Sequence, residues 1–143
     1  ADEPTSALDV TIQAQILELL RKLNDESKTS ILLISHNLGV VADLCDCVYV
    51  MYAGQIVEHS DIYSLYKRPL HPYTQGLLRS VVSLQDFVSI PGSVPDLIKP
   101  ALGCRFGPRC NMARDICKKK NPPLSGHAPG REARCWLYER DLQ

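Results

Sequence analysis

Ala1-Asp2-Glu3-Pro4-Thr5-Ser6-Ala7-Leu8-Asp9 opens the chain, and the reading of this stretch decides the rest. Two adjacent carboxylates lead into a Pro-Thr-Ser turn, and a strongly patterned helix follows. Adjacent acids at the mouth of a strand-to-helix turn suit a task that needs two charges with separate roles. One can hold the water shell of a magnesium ion while the other orients and activates a water. Without the rest of the stretch, Asp2 and Glu3 would read as a solvated chain end, where acids are common.

Working outward, Ile12, Ile16, Leu19, Leu20 and Leu23 fall on one stripe of a 3.6-residue period, which predicts a helix from Asp9 to Asn24. Asp9 or Ser6 can cap its start. Thr29-Ser30-Ile31-Leu32-Leu33-Ile34-Ser35 is a short continuous apolar run, predicted to be a strand buried on both faces of a parallel sheet. His36 follows at once, where open α/β sheets present ligand-binding groups. Asn37 can cap a helix over Leu38 to Cys45. Cys47 to Tyr52, Ala53-Gly54 and Gln55 to Glu58 read as strand, tight turn, strand. Cys45 and Cys47 read as buried thiols acting as small hydrophobes. Asp61 to Lys67 is a candidate short helix; Pro69 to Thr74 breaks it, and Gln75 to Val82 is helical again.

The composition is that of a soluble globular chain, 45% hydrophobic and 22% charged over 143 residues. No apolar run approaches the roughly 18 residues of a membrane-spanning helix, and the acidic start argues against a secretory signal. Charge is unevenly placed: residues 1–100 carry 7 Lys/Arg and 12 Asp/Glu, residues 101–143 carry 9 and 4. Four of the six cysteines and seven of the ten prolines lie in the distal segment, which predicts two differently built parts, 1–83 and 84–143, with a boundary near Ser83 to Pro91. The basic residues lack interleaved aromatic stacking groups, so no nucleic-acid partner is expected.

Cys104, Cys110, Cys117 and Cys135 are spaced C-x5-C-x6-C-x17-C. Disulfides would suit a small oxidised domain, but the first segment reads as cytosolic, where thiols stay reduced; an iron–sulfur cluster, zinc and free thiols stay open. Zinc ligands usually pair at shorter spacing, whereas a cluster with several irons accepts wider ones. The positive charge of the tail would offset the field of four thiolates. A metal would also staple a segment with few large apolar groups. His127 reads as a loop residue rather than a ligand.

The opening nine residues resemble, at every position, the Walker B acid, catalytic glutamate and D-loop of ABC-type ATPases. Ser35-His36-Asn37 is similar to the family's switch-histidine segment, with asparagine in place of the usual aspartate; arginine is usual where Cys47 stands. His71-Pro72-Tyr73-Thr74 with Gly76-Leu77-Leu78 resembles the region that marks peptide-transporter members, and His71 is expected to pack rather than act as a base. Gly103-Cys104-Arg105-Phe106, Pro108-Arg109-Cys110, Cys117, Pro122-Pro123-Leu124 and Arg134-Cys135 resemble the C-terminal domain of dipeptide and oligopeptide transporter ATPases.

The resemblance implies an α/β fold. It would be the C-terminal part of a P-loop, RecA-like ABC ATPase domain followed by a small irregular, cysteine-rich metal-binding domain. It implies ATP and Mg2+ as ligands, with Asp2 on the magnesium shell, Glu3 and His36 as catalytic residues, and Ser6 to Asp9 facing a second nucleotide-binding subunit. It associates Cys104, Cys110, Cys117 and Cys135 with a 4Fe–4S cluster, Zn2+ being the alternative. The implied setting is cytoplasmic, on the inner face of the membrane, with permease subunits and, indirectly, a substrate-binding protein as partners. The phosphate loop, glutamine loop and Leu-Ser-Gly-Gly-Gln signature are not found here. The chain is therefore expected to be a C-terminal portion without ATP turnover of its own, and its uncovered strand edges predict a homodimer or another paired assembly. A non-catalytic metal-binding module for assembly or redox sensing, with a vestigial ATPase half, is the competing expectation.

Overall fold

Residues 1–82, 89–93, 95, 97, 98, 100 and 102–139 are described by the structure, a computed structural model. They form two compact units, Ala1–Asp46 and Cys47–Gln143. Residues 83–88 of the boundary expected near Ser83 to Pro91 lie outside the described residues.

In the first unit the chain start pairs in parallel with residues 32–34. Glu3 N donates to the carbonyl of Ile34 (2.8 Å) and Ile34 N to that of Ala1 (2.8 Å), an isolated bridge between Asp2 and Ile34. The buried central strand expected over 31–34 is therefore not formed. Leu32 and Ile34 stay 76% and 54% exposed on one face of the run, while Ile31 and Leu33 on the other are half-buried. After the turn, α1 spans Val10–Ser27; Asp9 is its N-cap, with Oδ1 accepting from Ile12 N at 2.9 Å. Its apolar stripe is only partly covered: Ile16 and Leu20 are half-buried, Ile12, Leu19 and Leu23 are exposed, and Leu17 is the buried residue. Asn37 Oδ1 caps α2, Leu38–Leu44, by accepting from Gly39 N and Val40 N. An Arg21–Asp43 ion pair ties α1 to α2.

The second unit is built on a four-stranded antiparallel sheet of order β1-β2-β4-β3. Strands β1 (Cys47–Tyr52) and β2 (Gln55–Asp61) join through Ala53-Gly54, both at positive φ (48° and 74°), the backbone of a type I′ hairpin turn. A bulge at Val50/Met51 leaves Val57 unpaired, so Val57 and Glu58 both turn inward. Cys47 is exposed, a correction to its reading as a buried thiol: it lies on the outer side of β1, while Val50 and Tyr52 face the core. Asp61 caps α3 (Ile62–Lys67), and α4 runs Pro72–Val82, three residues longer at its start than expected because Pro72 fits the first helical position.

The tail is less irregular than its prolines indicated. A 3-10 turn at Gly107–Arg109 and α5 (Asp115–Lys119) precede a hairpin of β3 (Ser125–Ala128) and β4 (Arg131–Ala133), which pairs with β2 through Glu58↔Ala133 and His59↔Glu132. The core joins both parts of the unit: Val50, Tyr52, Val57 and Leu65 pack with Phe106 from the cysteine-rich segment. Among the described residues, no helix is long and apolar enough to cross a membrane.

Candidate functional site

Glu3 follows the paired residues of the chain start, and its φ of 44° turns the chain out of extended geometry. A left-handed glutamate costs about 1–2 kcal/mol, and such strain tends to sit where side-chain direction matters. Here the Glu3 carboxylate meets the residue after the partner segment: Oε1 lies 2.7 Å from His36 Nδ1 and accepts from His36 N at 3.1 Å. The imidazole is 81% exposed and the carboxylate 35%, so the pair faces solvent with room for a ligand.

The other residues of the opening stretch are placed as follows. Asp2 is exposed beside Glu3, at the bridge to Ile34. Ser6 Oγ donates to the Glu3 carbonyl (3.1 Å), fixing the turn that carries the carboxylate. Asp9 is committed to capping α1. Glu3 and His36 are thus brought together, while Ser6 and Asp9 are held by local bonds. The Asn37 that replaces aspartate keeps the capping role through its side-chain oxygen.

The four tail cysteines converge without closing. Cys104, Cys110, Cys117 and Cys135 all line one cavity of about 20 Å³, with His71, Phe106 and Trp136 among its other walls. That is room for about one water molecule. Backbone N–H groups reach the sulfurs: those of Phe106 and Gly107 at Cys104, Met112 at Cys110, Leu137 at Cys135, and Arg114 N to Cys117 Sγ at 3.4 Å. Burial raises the thiols of Cys104 and Cys110 and pushes Cys135 up to about 11, opposed by those N–H groups. The cysteines are free thiols. Among the described residues, no group of three or more histidine, cysteine or acidic side chains is placed to hold a metal ion. The ligand set read from the spacing is therefore not assembled as a cage. The donors are present and oriented by peptide dipoles, but they surround a space instead of clasping an ion.

Three arginines of the tail, Arg105, Arg109 and Arg134, donate to backbone carbonyls and keep their charge there. Arg105 donates to the Ala53 carbonyl and Arg109 to those of Ile90 and Pro91 (both 2.8 Å). Arg134 donates to those of Ile56 (2.9 Å) and Pro122 (3.0 Å). These contacts fasten the cysteine-rich segment to the β1–β2 hairpin and to the strap at 90–91. Sequence reasoning missed them because a donor to a backbone carbonyl leaves no residue-type signature at the acceptor.

Glu58 was missed as well. It is fully buried, and its two carboxylate oxygens accept from Leu70 N (2.7 Å) and His71 N (2.8 Å), fixing the turn before α4. A glutamate directly after Ile56-Val57 in β2 is the weak signal that could have found it. His71 packs, as expected. It is 1% exposed, its Nδ1 accepts from Tyr73 N (3.1 Å), and the Arg134 carbonyl accepts from the ring. Burial drives its pKa down to about 4, against a smaller opposing pull from that carbonyl. The unfolded chain, with a histidine near 6.5, therefore binds the proton first as pH falls. Stability from neutral His71 is fully present above pH 6.5 and is lost between 6.5 and about 4, a loss of about 3 kcal/mol. Urea midpoints of the wild type should fall across that window more steeply than those of His71→Gln; parallel curves would remove His71 as the cause. His127, expected in a loop, sits on β3 with its ring 5.0 Å from that of Tyr138.

A carboxylate and an imidazole thus meet where two parallel segments end, each followed by a capped helix. The chain is homologous to the C-terminal portion of ABC transporter ATP-binding proteins. The relatives it matches carry peptide-transport names. The family described as "Oligopeptide/dipeptide transporter, C-terminal region" matches residues 57–117. The oligopeptide transport ATP-binding protein AppD of Bacillus subtilis is 51% identical over 99% of this chain and 44% of its own length. A probable peptide ABC transporter ATP-binding protein of Sinorhizobium fredii, y4tR, is 50% identical over 95% of the chain and 42% of its own. OppD of Salmonella typhimurium, an oligopeptide transport ATP-binding protein, is 47% identical over 99% and 43%. The chain thus spans less than half the length of these relatives.

Proposed function

We propose that this chain supplies the water-activating and phosphate-sensing residues of an ATP-hydrolysing subunit that powers peptide import through an ABC transporter. The observation that carries the reading is the 2.7 Å contact between Glu3 and His36 in a solvent-open position. Glu3 orients the attacking water and accepts its proton. In its protonated form, the imidazole donates from Nδ1 to Glu3 and from the exposed Nε2 to a phosphoryl oxygen. Asp2 holds the water shell of Mg2+, which when bound neutralises charge on the triphosphate oxygens. Phosphoryl transfer depends on such positioned charges rather than on covalent steps, so few residues suffice for this share of the site. Ser6 to Asp9 face a second nucleotide-binding subunit, with permease subunits and a substrate-binding protein completing the transporter at the inner face of the membrane.

The test is a chimera that joins residues 1–143 to the part of AppD that they do not cover. It should release phosphate from ATP in the presence of Mg2+, while the 143-residue chain alone should release none above background. A chimera that folds and binds nucleotide but never hydrolyses it would sink the reading.

A second reading concerns the cysteine cavity, and four inward thiols with N–H donors favour it. The donor chemistry suits a 4Fe–4S cluster or Zn2+. The spacing favours the cluster, and the small volume favours the single ion. Iron, sulfide and zinc analysis of anaerobically purified protein decides between them, and the absence of all three ends this reading.

A further inference from the structure

The alternation of the run that ends at His36 continues to its last member. Ile31, Leu33 and Ser35 are half-buried while Leu32 and Ile34 are exposed, so the Ser35 side chain stays on the covered face. Pairing with the chain start ends at Ile34, whose carbonyl accepts from Glu3 N at 2.8 Å, and each following amide needs another acceptor. His36 N donates to Glu3 Oε1 at 3.1 Å, and Asn37 N donates to Ser35 Oγ at 3.1 Å. Gly39 N and Val40 N then donate to Asn37 Oδ1 at 3.0 and 3.3 Å. The peptide groups on both sides of His36 are therefore tied down, one by the Glu3 carboxylate and the other by the serine hydroxyl. A serine oxygen that accepts from the second amide after it closes a local turn. That turn matters here because the His36 side chain is 81% exposed: little packing aims the ring, and its direction follows from the backbone. The 2.7 Å contact of Nδ1 with Glu3 is only as well defined as the turn that carries it.

We infer that Ser35 is a positioning residue: its hydroxyl, by holding the Asn37 amide, fixes the turn that presents His36 to Glu3. Resting on the reading of Glu3 and His36 as the water-activating and phosphate-sensing pair, this role adds a residue that works through His36 and not on the reacting atoms. Ser35→Ala deletes the acceptor and leaves carboxylate and imidazole in place. Asn37 is exposed, so its freed amide turns to water, and the loss falls on the aim of the ring rather than on folding. Ser35→Thr keeps a hydroxyl on the same carbon and suits extended backbone, so it restores the bond.

The first arm of the test uses the 143-residue chain without nucleotide and follows the ring nitrogens of His36 by NMR, assigned as the signals lost in His36→Ala. Those shifts report which nitrogen carries the proton and what it meets. In Ser35→Ala the Nδ1 signal should move toward its position in Glu3→Ala, with the urea midpoint nearly unchanged. In Ser35→Thr it should lie on that of the wild type. The second arm uses the AppD chimera. Ser35→Ala should hydrolyse ATP about tenfold more slowly, the size of one lost hydrogen bond, with nucleotide binding retained, and Ser35→Thr should restore the rate. A wild-type Nδ1 signal in Ser35→Ala, a wild-type rate for Ser35→Ala in an active chimera, or threonine behaving as alanine does would each overturn the positioning role. An unsubstituted chimera that never hydrolyses ATP sinks the ATPase reading alone, and the Nδ1 signal still decides whether Ser35 holds the pair.

Discussion

Replacing Glu3 by glutamine is expected to lower ATP turnover of the AppD chimera by about 10²–10⁴-fold, the contribution of one well-placed general base. Glutamine keeps the length of the side chain and an oxygen that can accept from His36 N and Nδ1, the two contacts that hold the carboxylate. What it loses is the charge and the capacity to take a proton from water. Nucleotide binding should therefore persist while turnover collapses, which separates a chemical role from a structural one. His36→Ala removes a contact to phosphate as well as the partner of Glu3, so it should weaken both binding and turnover. Phosphate release measured beside the binding of a fluorescent nucleotide gives both numbers. If Glu3→Gln turns over at the wild-type rate, the water is activated elsewhere and the reading of the opening stretch is wrong.

Periodicity made much of the backbone legible. The start of α1 followed from Asp9, the hairpin from Ala53-Gly54, and α2 from Asn37, because caps and tight turns are decided by residues in contact along the chain. Burial was not legible to the same degree. The stripe Ile12, Ile16, Leu19, Leu20 and Leu23 was correctly periodic, yet only Ile16 and Leu20 are half-buried and the other three are exposed, since a period says which side chains share a face and not whether anything covers it. The same holds for Leu32 and Ile34. At the site, the meeting of Glu3 with His36 was implied by family likeness, but the left-handed backbone that aims the carboxylate was not. Glu58 and the arginine contacts escaped notice because they depend on a bulge and on carbonyls far along the chain. The four cysteines illustrate the limit most plainly: spacing identified the set, whereas the shared cavity and its small volume belong to the tertiary structure.

Gly103→Ala should destabilise the second unit by about 3 kcal/mol or more, at the upper end of the cost of inserting one carbon into a packed interior. The position is buried, and the added Cβ would lie 2.1 Å from the Cys117 carbonyl oxygen, 2.7 Å from the Lys118 carbonyl carbon and 2.8 Å from its oxygen. All three obstacles are backbone, so no rotamer change relieves them. Moving the 117–118 segment away would break the 2.8 Å bond from Cys104 N and leave two polar groups without partners in a desolvated place. It would also pull Cys104 from the cavity wall and loosen Phe106, which closes the core against Tyr52 at a ring separation of 5.2 Å. The clash thus propagates from one methyl group to the joint between the cysteine segment and the β1–β2 hairpin. Gly126→Ala is the matched control: nothing lies within 4 Å of its built Cβ, and its effect should stay within about 0.5 kcal/mol. Urea unfolding of the two variants beside the wild type measures the difference. Equal midpoints for the two would mean that segments 103–104 and 117–118 do not pack against each other.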